Sequence, residues 1–326
     1  MNKKKSFLGI YLIVSFVLII AAVIVSLTAG IKLGTDVGGG TQFEVTIDGT
    51  VASNKQIQNI KDVLHKNHLH AEEIFVEDKL VDTVIVVRIA DKTVKNQAEV
   101  KAGLVQKLGV EAEDISEFST FNGTITKRVV LYTSIAIVCV LLLLFFAGWI
   151  RYNIVSGLTL MFAVLHTLML NVSLLVLTRL PVTMITMIEI LCGIILALFA
   201  FILLLERIRE NAQLKHNEGL STEELVQTSN KSVLKPLVFL AILITVVAIA
   251  FVCVPVRFVT LSACGLLVSI ATAVYTYYFV GVGVHEKLLE FKVNADKMRL
   301  SKNDSPAPQK DSKRSAKAKT QEKEEK

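Results

Sequence analysis

The sequence predicts an α-helical multi-pass membrane protein of six spans that carries one external α+β domain of ferredoxin-like order. Composition is the first reason. Of 326 residues, 52% are hydrophobic and 20% charged, with a mean hydropathy of +0.56, an apolar excess that soluble domains do not carry. Distribution is the second. Windows 6–29, 129–150, 152–178, 180–205, 236–256 and 258–284 contain no Lys, Arg or Asp and run 21 to 27 residues. A helix of roughly 20 apolar residues crosses a bilayer core of about 30 Å. Barrel strands of about 10 alternating residues do not produce such runs, so the spans are helices, which satisfy their own backbone in lipid. The third reason is segment 30–128, the one sizeable hydrophilic stretch that the spans enclose.

Lys3, Lys4 and Lys5 precede the first window and place the N-terminus in the cytoplasm by the positive-inside rule. A signal peptide would also begin this way. The apolar run is about twice the length of a signal core, however, and no small-x-small site follows it, so residues 1–29 are expected to form an uncleaved anchor.

Residues 30–128 then lie outside, with 12 Lys/Arg against 15 Asp/Glu, a mildly acidic balance unsuited to nucleic acid. Phe43, Val45 and Ile47 alternate with Gln42, Glu44 and Thr46, which predicts a half-buried strand over 41–47. Ser53-x-x-Gln56 opens a helix as a capping box, with Ile57, Ile60 and Leu64 on one face. Residues 74–76 and 84–89 read as strands, and 94–108 as a second helix with Val94, Val105 and Leu108 aligned. Ile115 and Phe118 suggest a last strand. The order βαββαβ is ferredoxin-like, a fold that hosts many functions and selects none.

Residues 129–284 supply the other five spans. The turn Trp149-Ile150-Arg151-Tyr152 and the loop 206–235, with Arg207, Arg209, Lys215, Lys231 and Lys235, fall inside, whereas the outer loops carry only Arg179 and Arg257. Residues 285–326 are expected to form a basic, mostly disordered cytoplasmic tail, with 12 Lys/Arg against 7 Asp/Glu from 287 onward. Such a tail suits anionic lipid or ribosomal RNA, or simply keeps the chain soluble. Trp149, Tyr152, Tyr275, Tyr277 and Tyr278 stand near span ends as interface anchors. Cys139, Cys192, Cys253 and Cys264 all fall in apolar windows without disulfide or zinc spacing, and read as small apolar fillers.

After the first span stands Gly34-Thr35-Asp36-Val37-Gly38-Gly39-Gly40-Thr41. It lacks the Gly-Lys-Ser/Thr of a phosphate loop, which excludes that mode of nucleotide binding. Asp36, Gly39, Gly40 and Thr41 are expected to set the hinge between span and strand rather than to touch substrate. This string resembles the G-x-D-F-x-G-G-T signature of the SecF family, subunits of the bacterial Sec protein translocase and relatives of SecD and the RND transporters. Trp149-Ile150-Arg151-Tyr152 is similar to the family's W-I-R-F, Ala163-Val164-Leu165-His166 to its A-L-L-H-D, and Glu206-Arg207-Ile208-Arg209-Glu210-Asn211 to its D-R-I-R-E-N. The resemblance covers residues 1 to about 290. It implies half of an RND-type membrane unit that pairs with a SecD-like subunit beside the SecY/SecE/SecG channel. It also implies an external domain that holds the emerging preprotein, and a movement driven by proton flow. Lipid is the surrounding partner, and no cofactor, metal or nucleic acid is implied.

The family's intramembrane polar positions are altered. The span-four Asn-Asp of the family falls on Phe199 and Ala200, the Asp after the span-three His on Thr167, and the span-five Arg on Lys235, which also reads as a snorkelling lysine. Two titratable groups remain in the spans. Glu189 shares a helix face with Ala200, and window positions put Glu189 and His166 at similar depth, roughly 14 and 18 Å from the outer end at 1.5 Å per residue. They are therefore the candidate intramembrane proton site, as a pair across the hairpin of spans three and four. The alternative is a protonated Glu189 bonded to backbone or Thr186, with His166 on a neighbouring carbonyl. Glu206, Arg207, Arg209, Glu210 and Asn211 read equally as a contact with the channel and as a charged span terminus. Three functions stay open: an export subunit, an RND-type half transporter for lipid, peptide or drug, and a motor-less scaffold. An enzyme is not expected, because no nucleophile–base–orienter set appears outside the membrane.

Overall fold

The computed structural model describes residues 3–48, 53–69, 71–78, 82–91, 94–125, 127–214, 219–254 and 257–303. The first apolar helix, α1, is Lys3–Ala29. A short helical turn, α2 (Thr35–Gly38), leads into β1 (Gly39–Asp48). Helix α3 (Asn54–Lys66) starts at the reciprocal cap of Ser53 and Gln56 that the sequence predicts. Strands β2 (Ala71–Asp78) and β3 (Asp82–Ile89), helix α4 (Gln97–Leu108) and strand β4 (Ser119–Asn122) complete the domain. The sheet order is β2-β3-β1-β4 with every neighbour antiparallel, which is the ferredoxin-like split βαβ arrangement.

One face of the sheet and the two helices enclose a core of Phe43, Val45, Ile47, Ile60, Leu64, Ile85, Val87, Val100 and Leu104. The last strand lies one step later than the apolar pattern placed it. Ile115 makes an isolated bridge to Val45 and enters the core, and Phe118 packs on Phe43 at 4.7 Å between ring centroids. The strand that follows is largely exposed, so hydrophobicity could not mark it. The helix read over 94–108 begins only at Gln97, although Val94 is buried. The start of β1 runs between two backbones. Gly39 takes a φ of +76°, and a Cβ on Gly40 would overlap the Ile89 carbonyl, so neither position accepts a side chain.

Among the described residues, six helices are long and apolar enough to cross a membrane. After α1 they are α5 (Lys127–Arg151), α6 (Ile154–Thr178), α7 (Met184–Gln213), α8 (Thr222–Val252) and a composite rod. The rod joins α9 (Arg257–Tyr275), a π-helical segment (Thr276–Gly281) and α10 (Val282–Asn303). Helix α6 is the hub, touching α1, α5, α7 and the rod, and it buries the longest run of side chains. Helix α5 is the opposite case, with Gly148 its one buried residue.

Two boundaries differ from the sequence expectation. The loop 206–235 is mostly helix, because α7 runs to Gln213 and α8 starts at a capping box of Ser221 and Glu224. The sixth helix does not end at 284 but continues to Asn303, so the tail expected from 285 begins as helix. Its remainder from 304 lies outside the described residues. Loss of hydropathy marks the end of the membrane and not of the helix. For the same reason Tyr275 and Tyr277 sit mid-rod, facing the bundle, rather than at a span end. The cysteines are not buried fillers: Cys139, Cys192 and Cys253 are exposed on the bundle surface and Cys264 is half-buried.

Candidate functional site

The packed faces of α6 and the rod carry polar residues where a lipid-embedded bundle would ordinarily be apolar. On α6 they are Thr159, His166, Thr167 and Asn171, all buried, and on the rod Ser269, Thr272, Thr276, His285 and Glu286, also buried. The two helices run antiparallel and meet in three rungs. Ser269 Oγ donates to Asn171 Oδ1 at 2.9 Å, His166 Nδ1 lies 2.9 Å from Thr276 Oγ1, and Thr159 Oγ1 lies 2.8 Å from His285 Nδ1. From Ser269 to Glu286 the ladder covers roughly 25 Å at 1.5 Å per residue, most of a bilayer core of about 30 Å.

His166 is the centre of this seam. Its Nε2 lies 3.1 Å from Ser15 Oγ on α1, and Ser15 Oγ lies 3.2 Å from Tyr275 OH, which donates to the Tyr11 carbonyl at 2.8 Å. Thr276 reaches the ring from the π segment, whose widened turn also directs Tyr277 inward to donate to Asn230 Oδ1 at 2.8 Å. A π segment is recurrent at functional sites, and nothing in the hydropathy pattern marks it. An imidazole held between two hydroxyls can accept a proton at one nitrogen and release one from the other.

Toward the tail end, away from the sheet domain, the seam opens into a cavity of about 240 Å³ lined by Tyr11, Gln227, Asn230, Glu223, Glu286 and Lys287. Gln227 Nε2 donates to Glu286 Oε2 at 2.8 Å. The carboxylates of Glu223, Glu286 and Glu290 lie within 4.8 Å of one another. An all-oxygen set of this kind suits a hard divalent cation and equally shares a proton. The sequence reading missed the trio because it placed Glu223 in a loop and Glu286 in the tail.

The structure does not bring Glu189 to His166. His166 is 12 residues, or about 18 Å, from the end of α6, whereas Glu189 is only five residues, or about 8 Å, from the start of α7. The depth estimate failed because the apolar window begins at Leu180, while Thr183 caps the helix with Thr186 and delays its start to Met184. Glu189 is buried, and the Ser262 hydroxyl of α9 lines the same pocket. Its bond to Thr186 is absent, since Thr186 Oγ1 donates to the Pro181 carbonyl at 3.1 Å.

The altered positions separate. Thr167 is buried in the seam with its hydroxyl unpartnered. Ala200 lies in an apolar cluster with Phe201 and Leu204, Phe199 faces outward, and Lys235 is exposed on the side of α8 opposite the buried Val233 and Leu237. The two charged motifs meet each other. Arg151 and Tyr152 both donate to Glu206 Oε1, with Arg151 Nε and Tyr152 OH each at 2.9 Å. Asn211 donates to Ser229 at 2.8 Å, and Arg207 pairs with Glu210 at 2.7 Å on the exposed side.

At the other end, the glycine motif docks on the corner between α6 and α7. Gly34 N donates to the Val182 carbonyl at 2.9 Å, Val182 N to the Lys32 carbonyl at 2.9 Å, and Met184 N to Asp36 Oδ2 at 2.7 Å. Arg179 donates to the carbonyls of Ala29 and Gly30. Thr41 Oγ1 donates to the Asp91 carbonyl at 2.7 Å. Asp36 thus ties the sheet domain to the head of α7.

Fold and seam together define an integral membrane protein with a buried polar ladder and a single sheet domain at one end of its bundle. The profile of the protein export membrane protein SecD/SecF C-terminal family matches residues 100–290, and the chain belongs to the SecD/SecF family. Its fold is similar to a crystal structure of SecDF in the super-membrane-facing form, with a TM-score of 0.69 at 17% identity, over 91% of this chain and 40% of that one. It is also similar to SecDF, a translocon-associated membrane protein from Thermus thermophilus, with a TM-score of 0.58 at 18% identity over 90% of this chain and 39% of that one. The chain therefore spans about two fifths of the SecDF chains it matches. No curated protein matches it by sequence.

Proposed function

We propose that the chain is a SecF-type auxiliary subunit in preprotein export across the plasma membrane, working without covalent chemistry of its own beside a SecD-like subunit and the SecY/SecE/SecG channel. The observation that carries this reading is a SecDF-like fold over 91% of the chain. The SecF-like motifs support the SecF side, at the base of the sheet domain and at the Arg151–Glu206 staple. Both termini are then cytoplasmic and residues 30–128 external, as the lysines before α1 and the cationic inner loops favour.

Proton movement would use the seam. Without a carboxylate at Ala200, the titratable groups along it are His166, His285 and the Glu223–Glu286–Glu290 cluster. A rung is re-formed after each transfer, because hydroxyl, imidazole and amide partners each offer both donor and acceptor capacity. The motor-less scaffold is favoured by a single observation, the apolar cluster around Ala200.

Two measurements separate the readings. Depletion of the protein is expected to slow signal-peptide processing of exported proteins, and gentle solubilisation to co-purify a SecD-like chain with the channel. Normal processing after depletion would refute an export role. Complementation that persists after the proton gradient is collapsed would assign the scaffold.

A further inference from the structure

Two cavities lie end to end between α8 and the composite rod, meeting at Tyr278 and Phe279, which line both. The one toward the tail is the polar cavity of about 240 Å³. The other is a groove of about 930 Å³, within the range of about 300–1,000 Å³ that small-molecule sites occupy. Its walls are α8 from Leu234 to Val246 and the rod from Leu267 to Phe279, with Leu196 and Ala200 added by α7. Small side chains at Ala200, Ala241, Ala271 and Ala273 leave the space open. Thr245 Oγ1 donates to the Ala241 carbonyl, and the Tyr275 and Tyr277 hydroxyls donate to Tyr11 and Asn230. Apart from Tyr278 at the junction, the groove therefore offers hydrocarbon. Val238, Ile242, Val246 and Val274 on its rim are exposed, so it opens on the bundle surface, where the surrounding medium is lipid.

Three observations select the occupant. The first is length. From Leu234 to Val246 the groove runs about 18 Å at 1.5 Å per residue, close to one leaflet's share of a hydrocarbon core of about 30 Å. A partner helix would need a groove across the whole core. The second is level. Charge resumes on both walls where groove meets cavity, at Lys235 and Lys231 on α8 and at Glu286 and Lys287 on the rod, so the cavity lies at headgroup depth. The third is charge. Lys287 stands in the cavity with Glu223 and Glu286, and Glu290 completes an acidic trio within 4.8 Å. Lys287 matches a phosphate, and the carboxylates match a primary ammonium with its three N–H donors. A headgroup of net negative charge would meet more carboxylates than cations, and a quaternary ammonium has no N–H to give them.

We propose that cavity and groove together bind one aminophospholipid. Its ammonium sits on the Glu223–Glu286–Glu290 cluster, its phosphate at Lys287 and one acyl chain between α8 and the rod. Tyr278, half exposed at the junction, lies at the level of the glycerol esters, a depth that suits its amphipathic ring. The site does not depend on the export reading, since it requires only a bilayer.

The test uses the full chain, purified in detergent and stripped of lipid, with dioleoyl lipids of three headgroups added in turn and binding read by native mass spectrometry. Phosphatidylethanolamine is expected to bind about tenfold or more tighter than phosphatidylglycerol or phosphatidylcholine. Glu286→Gln should erase that preference, and Ala241→Leu, which fills the groove, should weaken binding of all three. In nanodiscs of phosphatidylethanolamine and phosphatidylglycerol, a phosphatidylethanolamine with a photoreactive group in mid-chain should label the natural protein within 234–246 or 267–279. Equal affinity for the three lipids, tighter binding of phosphatidylglycerol, or labelling spread over the exposed faces of α5 and α7 overturns the proposal. So does a lipid-free dimer of the chain that cross-links through Ala241→Cys, which would make the groove a seat for a helix. Should Glu286→Gln fail to fold, Glu223→Gln must narrow the preference, and an unchanged preference overturns the proposal equally.

Discussion

His166 bridges hydroxyls on two other helices, so its removal has a structural and a functional consequence that differ. In His166→Ala the buried Thr276 hydroxyl loses its partner, whereas Ser15 keeps the Tyr11 carbonyl and Tyr275. One unsatisfied group of this kind costs about 1–3 kcal/mol, and a lower midpoint of thermal unfolding in detergent is the expected outcome. His166→Gln restores a donor and an acceptor and should recover most of that stability. It does not titrate, so any proton dependence of export in vesicles should stay lost in both variants. Full proton dependence in His166→Gln would remove His166 from the path. The sequence marked His166 as unusual through its depth in an apolar window. Its partners were not legible, because Ser15 and Thr276 are 151 and 110 residues away in the chain and serine and threonine occur in many spans without such a role.

Helix ends decide more at the element scale than hydropathy does. The reciprocal cap at Ser53 and Gln56 was legible because cap and apolar stripe agree. The cap at Thr183 and Thr186 stands inside an apolar window, where it moved Glu189 up toward the corner and parted it from His166. Close helix contact is a second element-level feature. At the α5–α6 crossing a Cβ on Gly148 would lie 2.8 Å from the Gly157 Cα, and one on Gly157 would meet the Phe145 carbonyl. Small residues of this kind let membrane helices approach backbone to backbone. Gly157→Val should therefore part α5 from α6 at a cost of about 1–3 kcal/mol, read as weaker cysteine cross-linking between the two helices. Gly9→Val, with nothing within 4 Å of its added Cβ, should leave that cross-link unchanged.

Across the whole molecule, the sheet domain and the bundle meet at one corner, while the seam runs from the far side of that corner to an acidic cavity at the other end. The Arg151–Tyr152–Glu206 staple closes the bundle near that cavity end and converts two sequence motifs into one contact. Replacing Glu206 with Gln removes the charge that both donors share. Exposed ion pairs contribute about 0–1 kcal/mol, so a small loss of thermal stability is expected; if the chain acts in export as proposed and the staple positions α7, slowed signal-peptide processing should be the larger effect. A fully active Glu206→Gln variant would show the staple to be dispensable.

The sequence by itself determined that six helices cross lipid, that one βαββαβ domain follows the first of them, and that the chain carries SecF-like motifs. These are local properties: apolar runs, alternation and caps are read within about 20 residues. Tertiary structure alone decided which polar groups meet. Whether Thr159, His166 and Asn171 face His285, Thr276 and Ser269 depends on the register of two helices whose relative position is set by all their neighbours, and on a π turn that shifts the phase of one of them. Hydrophobicity drives a helix into the membrane without specifying its rotation there, and it is that rotation, fixed by packing, that gathers scattered hydroxyls and imidazoles into one ladder.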